Sequence, residues 1–189
     1  MIELFCTQKL IAKLPVSQGL LPEGIALNES LTEKILNNPL SGWHANLLTI
    51  QRRNCILMVH NQTRFPLLLI GLTKKDFAVL DYHFADALMN TLLKLGADEE
   101  QMQAAQDLLA PVSIAKAFDR SVQGTMNQMK GDLEHFIWFD DLNIMDCSAY
   151  KLSVWLAKRP CTVKGQKDCV WPDKAMLQLL TSNASLFQN

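Results

Sequence analysis

The stretch GWHANLLTIQRRNCILMVHNQTRFPLLLIGL, residues 42 to 72, holds three short runs in which apolar residues occupy both alternating positions, as in CILMV and LLLIGL. A strand that is apolar on both sides belongs to a sheet covered on both sides. The pattern predicts a three-stranded antiparallel meander over about 43–72, and it requires helices as covers. One follows at once. Thr73 and Asp76 have capping-box spacing, and in the helix behind them Phe77, Leu80, Phe84, Leu88 and Leu95 share a face before Gly96 ends it. Asp81 falls on that same face. It is expected to be a buried carboxylate with a basic partner, unless the true face is rotated from the ideal one.

Elsewhere the periodicity is mixed. Ile2 to Cys6 reads as a short strand, and Thr7 starts a brief helix through Leu14. After the turn-rich PVSQGLLPEG, Ser30 caps a second short helix that Pro39 ends. A helix is predicted over Asp98 to Leu109, a strand over VSIAKAF behind Pro111, and a long helix from Asp119 or Ser121 to about Phe139. Beyond the polar turn DDLN come a helix near Ala149 to Ala157, a hairpin in CTVKGQKDCVW and a last helix from Asp173. The sum is an α+β fold in one domain over residues 1–189, with a small, mainly antiparallel sheet packed between helices. Residues 1–139 form the core, and 140–189 a helical and hairpin extension packed on it.

Composition then narrows the function classes. Lys and Arg number 18 against 19 Asp and Glu, a formal net charge of -1, so no overall field draws the chain to DNA. Non-specific nucleic-acid binding is disfavoured. The N-terminal MIELFCTQKLIAKL has Glu3 and no basic leader, unlike a secretion signal. The longest apolar run, Phe65 to Leu72, contains Pro66 and falls far short of the roughly 20 residues that span a bilayer. Five cysteines without CxxC spacing fit reduced thiols, so a cytoplasmic protein is expected. Cys161 and Cys169 are symmetric about Gly165, and a hairpin centred there would set them across from each other.

The segments CTQKL, WHANLLTIQRRNCILMVHNQT, KKDF and DRSVQGTMNQM, in this order, resemble an uncharacterised bacterial family, a domain of unknown function found in predicted cytosolic proteins. The resemblance covers most of residues 1 to 139 and brings no activity, cofactor or site residue with it. From about Asn143 onward it is less clear.

Chemistry has to be sought among polar groups that packing does not require. With Arg52 and Arg53 at a two-residue hairpin tip, strict pairing sets Gln51 against Asn54, Leu48 against Leu57, Asn46 against Val59 and His44 against Asn61. His44, Asn46 and Asn61 then share one face at one end, whereas a register slipped by one residue would scatter them. Alternatively, these groups only satisfy strand ends and the turn from Asn61 to Arg64. Trp43 belongs to the core. In RSVQGTMNQMKGDLEHFIWF, Val122, Met126, Met129, Leu133, Phe136 and Ile137 make one apolar face, and Arg120, Gly124, Asn127 and Gly131 line up opposite. An interior glycine costs a helix about 1 kcal/mol against alanine. Two of them imply the close approach of a backbone, through tight packing on the sheet, or of a ligand. Arg120, at the helix start, stands where an anion is readily held.

These patterns favour a binding or interaction module for a small anionic ligand, a nucleic-acid element or a protein partner, with His44, Asn46, Asn61, Arg64, Arg120 and Asn127 as its residues. The competing reading is a small hydrolase with His44 as general base and Arg64 or Arg120 stabilising developing negative charge. That reading lacks an acid or nucleophile near His44. His60 and His135 stand alone, and no zinc spacing, nucleophile elbow or phosphate-binding glycine loop occurs, so neither metal nor cofactor is expected.

Overall fold

The computed structural model of the chain describes residues 1–15, 38–115, 119–163 and 168–184. The meander is there: β2 (Trp43–Ile50), β3 (Arg53–His60) and β4 (Pro66–Leu69) pair antiparallel in sequence order. β1 (Ile2–Cys6) joins β2 in parallel, and β5 (Val112–Ala115) joins β1 in parallel. The result is a five-stranded mixed sheet in the order β4-β3-β2-β1-β5. Chain length explains the parallel half. Residues 7–42 are long enough for the crossover that parallel neighbours need, whereas the meander's turns permit only antiparallel pairing. The helix expected behind Ser30 lies outside the described residues.

The described helices are α1 (Gln8–Ile11), α2 (Leu80–Leu95), α3 (Glu99–Leu108), α4 (Arg120–Phe139), α5 (Ala149–Ala157) and α6 (Pro172–Ala184). Their ends are set locally. Gly96, at φ +93°, closes α2 in the left-handed conformation that glycine tolerates best. Asp98 and Gln101 form a full capping box on α3, and the Asp119 carboxylate caps α4 by accepting from the N–H groups of Ser121 and Val122. Asp76 accepts from both the N–H and the hydroxyl of Thr73, which is half of the expected box, and a 3-10 turn over Asp76–Val79 precedes α2. Phe77 of that turn is buried in the same core as the inward face of α2, which carries Leu80, Phe84, Ala87, Leu88 and Leu92. Asp81 is consequently exposed, correcting the expected buried pair.

Both faces of the sheet are covered. Trp43, Ala45, Ile56, Met58 and Leu67 share one core with residues of α2, α3 and α6, and Leu48, Ile50, Leu57, Val59 and Leu68 share the other with α4 and α5. Residues beyond 139 supply part of each core, through Leu152, Leu156, Ala157, Met176 and Leu180. The β4 edge is covered as well. The N–H of Leu68 donates to the buried Ser153 hydroxyl of α5 at 2.9 Å, so a backbone donor at the sheet edge is satisfied by a helix. Ser153→Ala leaves that donor without its partner and should cost about 1 to 3 kcal/mol in denaturant unfolding. A loss within error of zero would show that water replaces the hydroxyl.

The hairpin tip differs from the expected one. It falls on Gln51 and Arg52, both at positive φ (48° and 64°), rather than on Arg52 and Arg53. The Gln51 amide donates to the Leu142 carbonyl and accepts from the Ile144 N–H, each at 2.8 Å, and so fixes the turn from outside the hairpin. Moving the tip by one residue moves each cross-strand partner by two, so His44 faces Val59 and Asn46 faces Leu57. Because side chains alternate with period two, their faces are unchanged. At the second hairpin the partner moves by one: Cys161 bridges Val170, not Cys169. Cys169 therefore turns the other way, exposed while Cys161 is buried, and all five cysteines are free.

Candidate functional site

At one end of β2, on the face covered by α4, three of the expected polar residues come together. His44 is only 1% exposed, its ring packs on Phe5 at 5.0 Å, and its Nε2 accepts the backbone N–H of Asp119 at 2.9 Å. That bond leaves Nδ1 to carry the ring proton. The Asn61 side chain favours the protonated form of this ring, but burial is the larger effect and holds the His44 pKa below the usual histidine value. His44 thus ties the start of α4 to β2. Its Nε2 lone pair is already engaged, so in this geometry the ring has no site with which to take a proton from water.

Arg64 lies beside it. It occupies a left-handed backbone position (φ 61°), is 5% exposed, and donates through Nη2 to the Ser121 hydroxyl at 3.2 Å. Its Nε and Nη1 have no hydrogen-bond partner among the described residues. Burial pulls its pKa below the ordinary arginine value, with the charges of Asp119 and Cys161 opposing that fall. Asp119 is nevertheless committed as the α4 cap, and the pair forms no direct ion pair among the described residues.

The other expected residues go elsewhere. The Asn46 Oδ1 accepts the Thr7 hydroxyl at 3.1 Å, which fastens β2 to the turn after β1. Arg120 and Asn127 are exposed, because Val122, Thr125, Met126, Met129, Leu133 and Ile137 set the buried face of α4 and turn the opposite stripe outward. Among the described residues nothing would come within 4 Å of a Cβ at Gly124 or Gly131. The close approach of a backbone at these glycines is therefore not found, and Arg120 and Asn127 are exposed where His44 and Arg64 are buried. Sequence reasoning missed Asp119 and Ser121 as members of the cluster. Their capping spacing was visible, but their contacts with His44 and Arg64, 75 and 57 residues away, left no local trace.

The sequence matches the family described as a domain of unknown function, DUF6933, over residues 3–175. The chain belongs to this family. The match runs past the 1–139 segment that carried the resemblance, so the DUF6933 domain takes in α5 and the start of α6. Searches of curated proteins and of solved structures returned no match. Among the described residues of the DUF6933 domain no helix is long and apolar enough to cross a membrane, and no group of histidine, cysteine or carboxylate side chains is placed to hold a metal ion.

Proposed function

We propose that this DUF6933 domain is a cytosolic binding module that holds a small oxyanion, a phosphate or a carboxylate, on Arg64. The observation that carries the reading is the guanidinium itself, buried, with Nε and Nη1 unpartnered among the described residues. A charge removed from water costs several kcal/mol unless its hydrogen bonds are restored. One bond to Ser121 restores little of that, and an oxyanion would supply both the missing acceptors and the opposite charge. Asp119 already occupies the helix end, so the guanidinium, not the α4 terminus, would bear the ligand. The engaged lone pair of His44 favours binding over hydrolysis. Five free thiols support a reducing setting, and the sequence resemblance supports a bacterial one.

The test is calorimetric titration of the whole chain with inorganic phosphate and with citrate. Arg64→Met should weaken binding by roughly tenfold or more, the worth of a charge-assisted hydrogen bond. It should leave unfolding stability unchanged or raised, since a buried and poorly paired charge is removed. Arg120→Ala, altering an exposed side chain, should change neither. Failure of both anions to bind the native chain, or unchanged affinity in Arg64→Met, would reject the reading.

A further inference from the structure

At the opposite end of α4 the chain leaves large apolar side chains in water. Trp138 is 76% exposed and Phe139 72%. His135 lies one turn earlier, its ring 6.1 Å from that of Trp138 and 5.9 Å from that of Phe139, so three rings form one continuous surface. An exposed aromatic surface of this kind is a mark of an interaction site rather than of ordinary folding.

Beside it is a cleft of about 290 Å³ between the last turns of α4 and the β2–β3 hairpin, bounded by Ile50, Glu134, Ile137, Trp138, Asp141 and Leu142. That volume lies at or below the lower limit of small-molecule pockets, roughly 300 to 1,000 Å³. It suits one or two side chains. The charged residues that line it, Glu134 and Asp141, are both acidic, and no basic side chain lines it. Glu134 is only loosely held, by Lys130 at 3.6 Å.

The cleft wall is also built at a backbone cost. Asp141 sits at φ +49°, where glycine or asparagine is the usual helix-ending residue, while the N–H groups of Asp141 and Leu142 return to the carbonyls of Trp138 and Ile137. A carboxylate is thus kept at a position that helix termination alone would give to another residue.

We propose that this surface docks a segment of a partner protein that presents an arginine or lysine next to an apolar side chain. The cation would lie between the Glu134 and Asp141 carboxylates and over the Trp138 ring, an arrangement that combines charge pairing with cation–π attraction. The neighbouring apolar side chain would cover Phe139. The charge of the lining and the exposed rings select this occupant over an acidic segment or a purely apolar one.

A random peptide library selected on the native chain, and depleted on Trp138→Ala, tests the proposal. The recovered peptides should share a basic residue beside an apolar one. A synthetic peptide of that sequence should lose about tenfold or more of its affinity for Trp138→Ala. Asp141→Asn should weaken the peptide several-fold while leaving the melting temperature unchanged or higher, because asparagine tolerates the left-handed conformation. Arg64→Met, at the far end of α4, should leave the peptide affinity unaltered, so this outcome is read separately from anion binding. The proposal is overturned by peptides that lack basic residues, by a selection that returns none depleted on Trp138→Ala, or by equal affinity for Asp141→Asn. Concentration-dependent dimerisation abolished by Trp138→Ala would overturn it too, in favour of a second copy as the occupant.

Discussion

Trp43→Ala should cost about 3 to 5 kcal/mol, the range found when a buried large aromatic is truncated. Against the roughly 5 to 15 kcal/mol that separates folded from unfolded domains, such a loss removes about a fifth of the total or more. The size follows from the position of the ring. Trp43 is fully buried on β2, between Leu4 of β1 and His60 of β3, and it meets Phe84 of α2 edge-on at 5.2 Å. It therefore joins three strands to the helix that covers them. Its indole N–H also donates to the Leu40 carbonyl at 2.7 Å, so alanine leaves both a void and an acceptor without its donor. Trp43→Phe, which keeps most of the volume, should lose less, near the 1 to 3 kcal/mol of an unpaired buried polar group. Urea unfolding followed by circular dichroism measures both. If Trp43→Ala cost under about 1 kcal/mol, the two-sided core described above would not be what holds the sheet.

Acid should weaken the fold through His60. This ring is fully buried against Trp43, with Nε2 donating to the Ser41 carbonyl at 3.0 Å and Nδ1 accepting from the Thr63 hydroxyl at 2.9 Å. Both nitrogens serve the neutral ring, and burial pulls its pKa down to about 4. An unfolded histidine has an ordinary pKa near 6.5. Between these two values the unfolded chain binds a proton that the folded chain refuses, so stability is fully present above about pH 6.5 and falls as the pH drops toward 4. The whole interval is worth about 3 kcal/mol, and His44, whose pKa is also lowered by burial, adds in the same direction. His60→Gln keeps a donor and an acceptor but cannot titrate. Comparison of its unfolding free energy with that of the native chain from pH 7.5 to 4 should show a shallower dependence in the variant. Parallel curves would mean that His60 titrates normally in the folded protein.

Two polar groups of the paired strands β2 and β3 thus have different functions. His60 binds the loop at Ser41 to the turn at Thr63 on the α2 side of the sheet, while His44 fixes the start of α4 on the other. The second arrangement places Ser121 against Arg64 and leaves the rest of that guanidinium for an anion.

Much of this was readable from the chain alone, for a local reason. Alternation in residues 43 to 72 reports whether each face of a strand is buried, and both faces proved to be. Asp119 and Ser148 mark helix starts by their own side chains, which is why the limits of α4 and α5 follow from the sequence. The α4 periodicity likewise determined which residues point inward. It could not determine whether anything covers the outward stripe, and nothing described does so at Gly124 or Gly131. What tertiary structure decided are the relations between segments far apart in the chain. The parallel placement of β1 and β5 depends on which edges are open once the meander has formed. The hairpin tip moved to Gln51 because the partners of its amide, Leu142 and Ile144, lie some 90 residues away. From the sequence Arg64 was one of several polar candidates, next to a turn. Only the packing of α4 across β2 singled it out, by excluding water from the guanidinium and bringing it one hydroxyl, that of Ser121, as a side-chain partner. Local patterns encode burial and caps, since neighbours in sequence create them, whereas the unsatisfied hydrogen bonds of a buried charge exist only after distant surfaces have met.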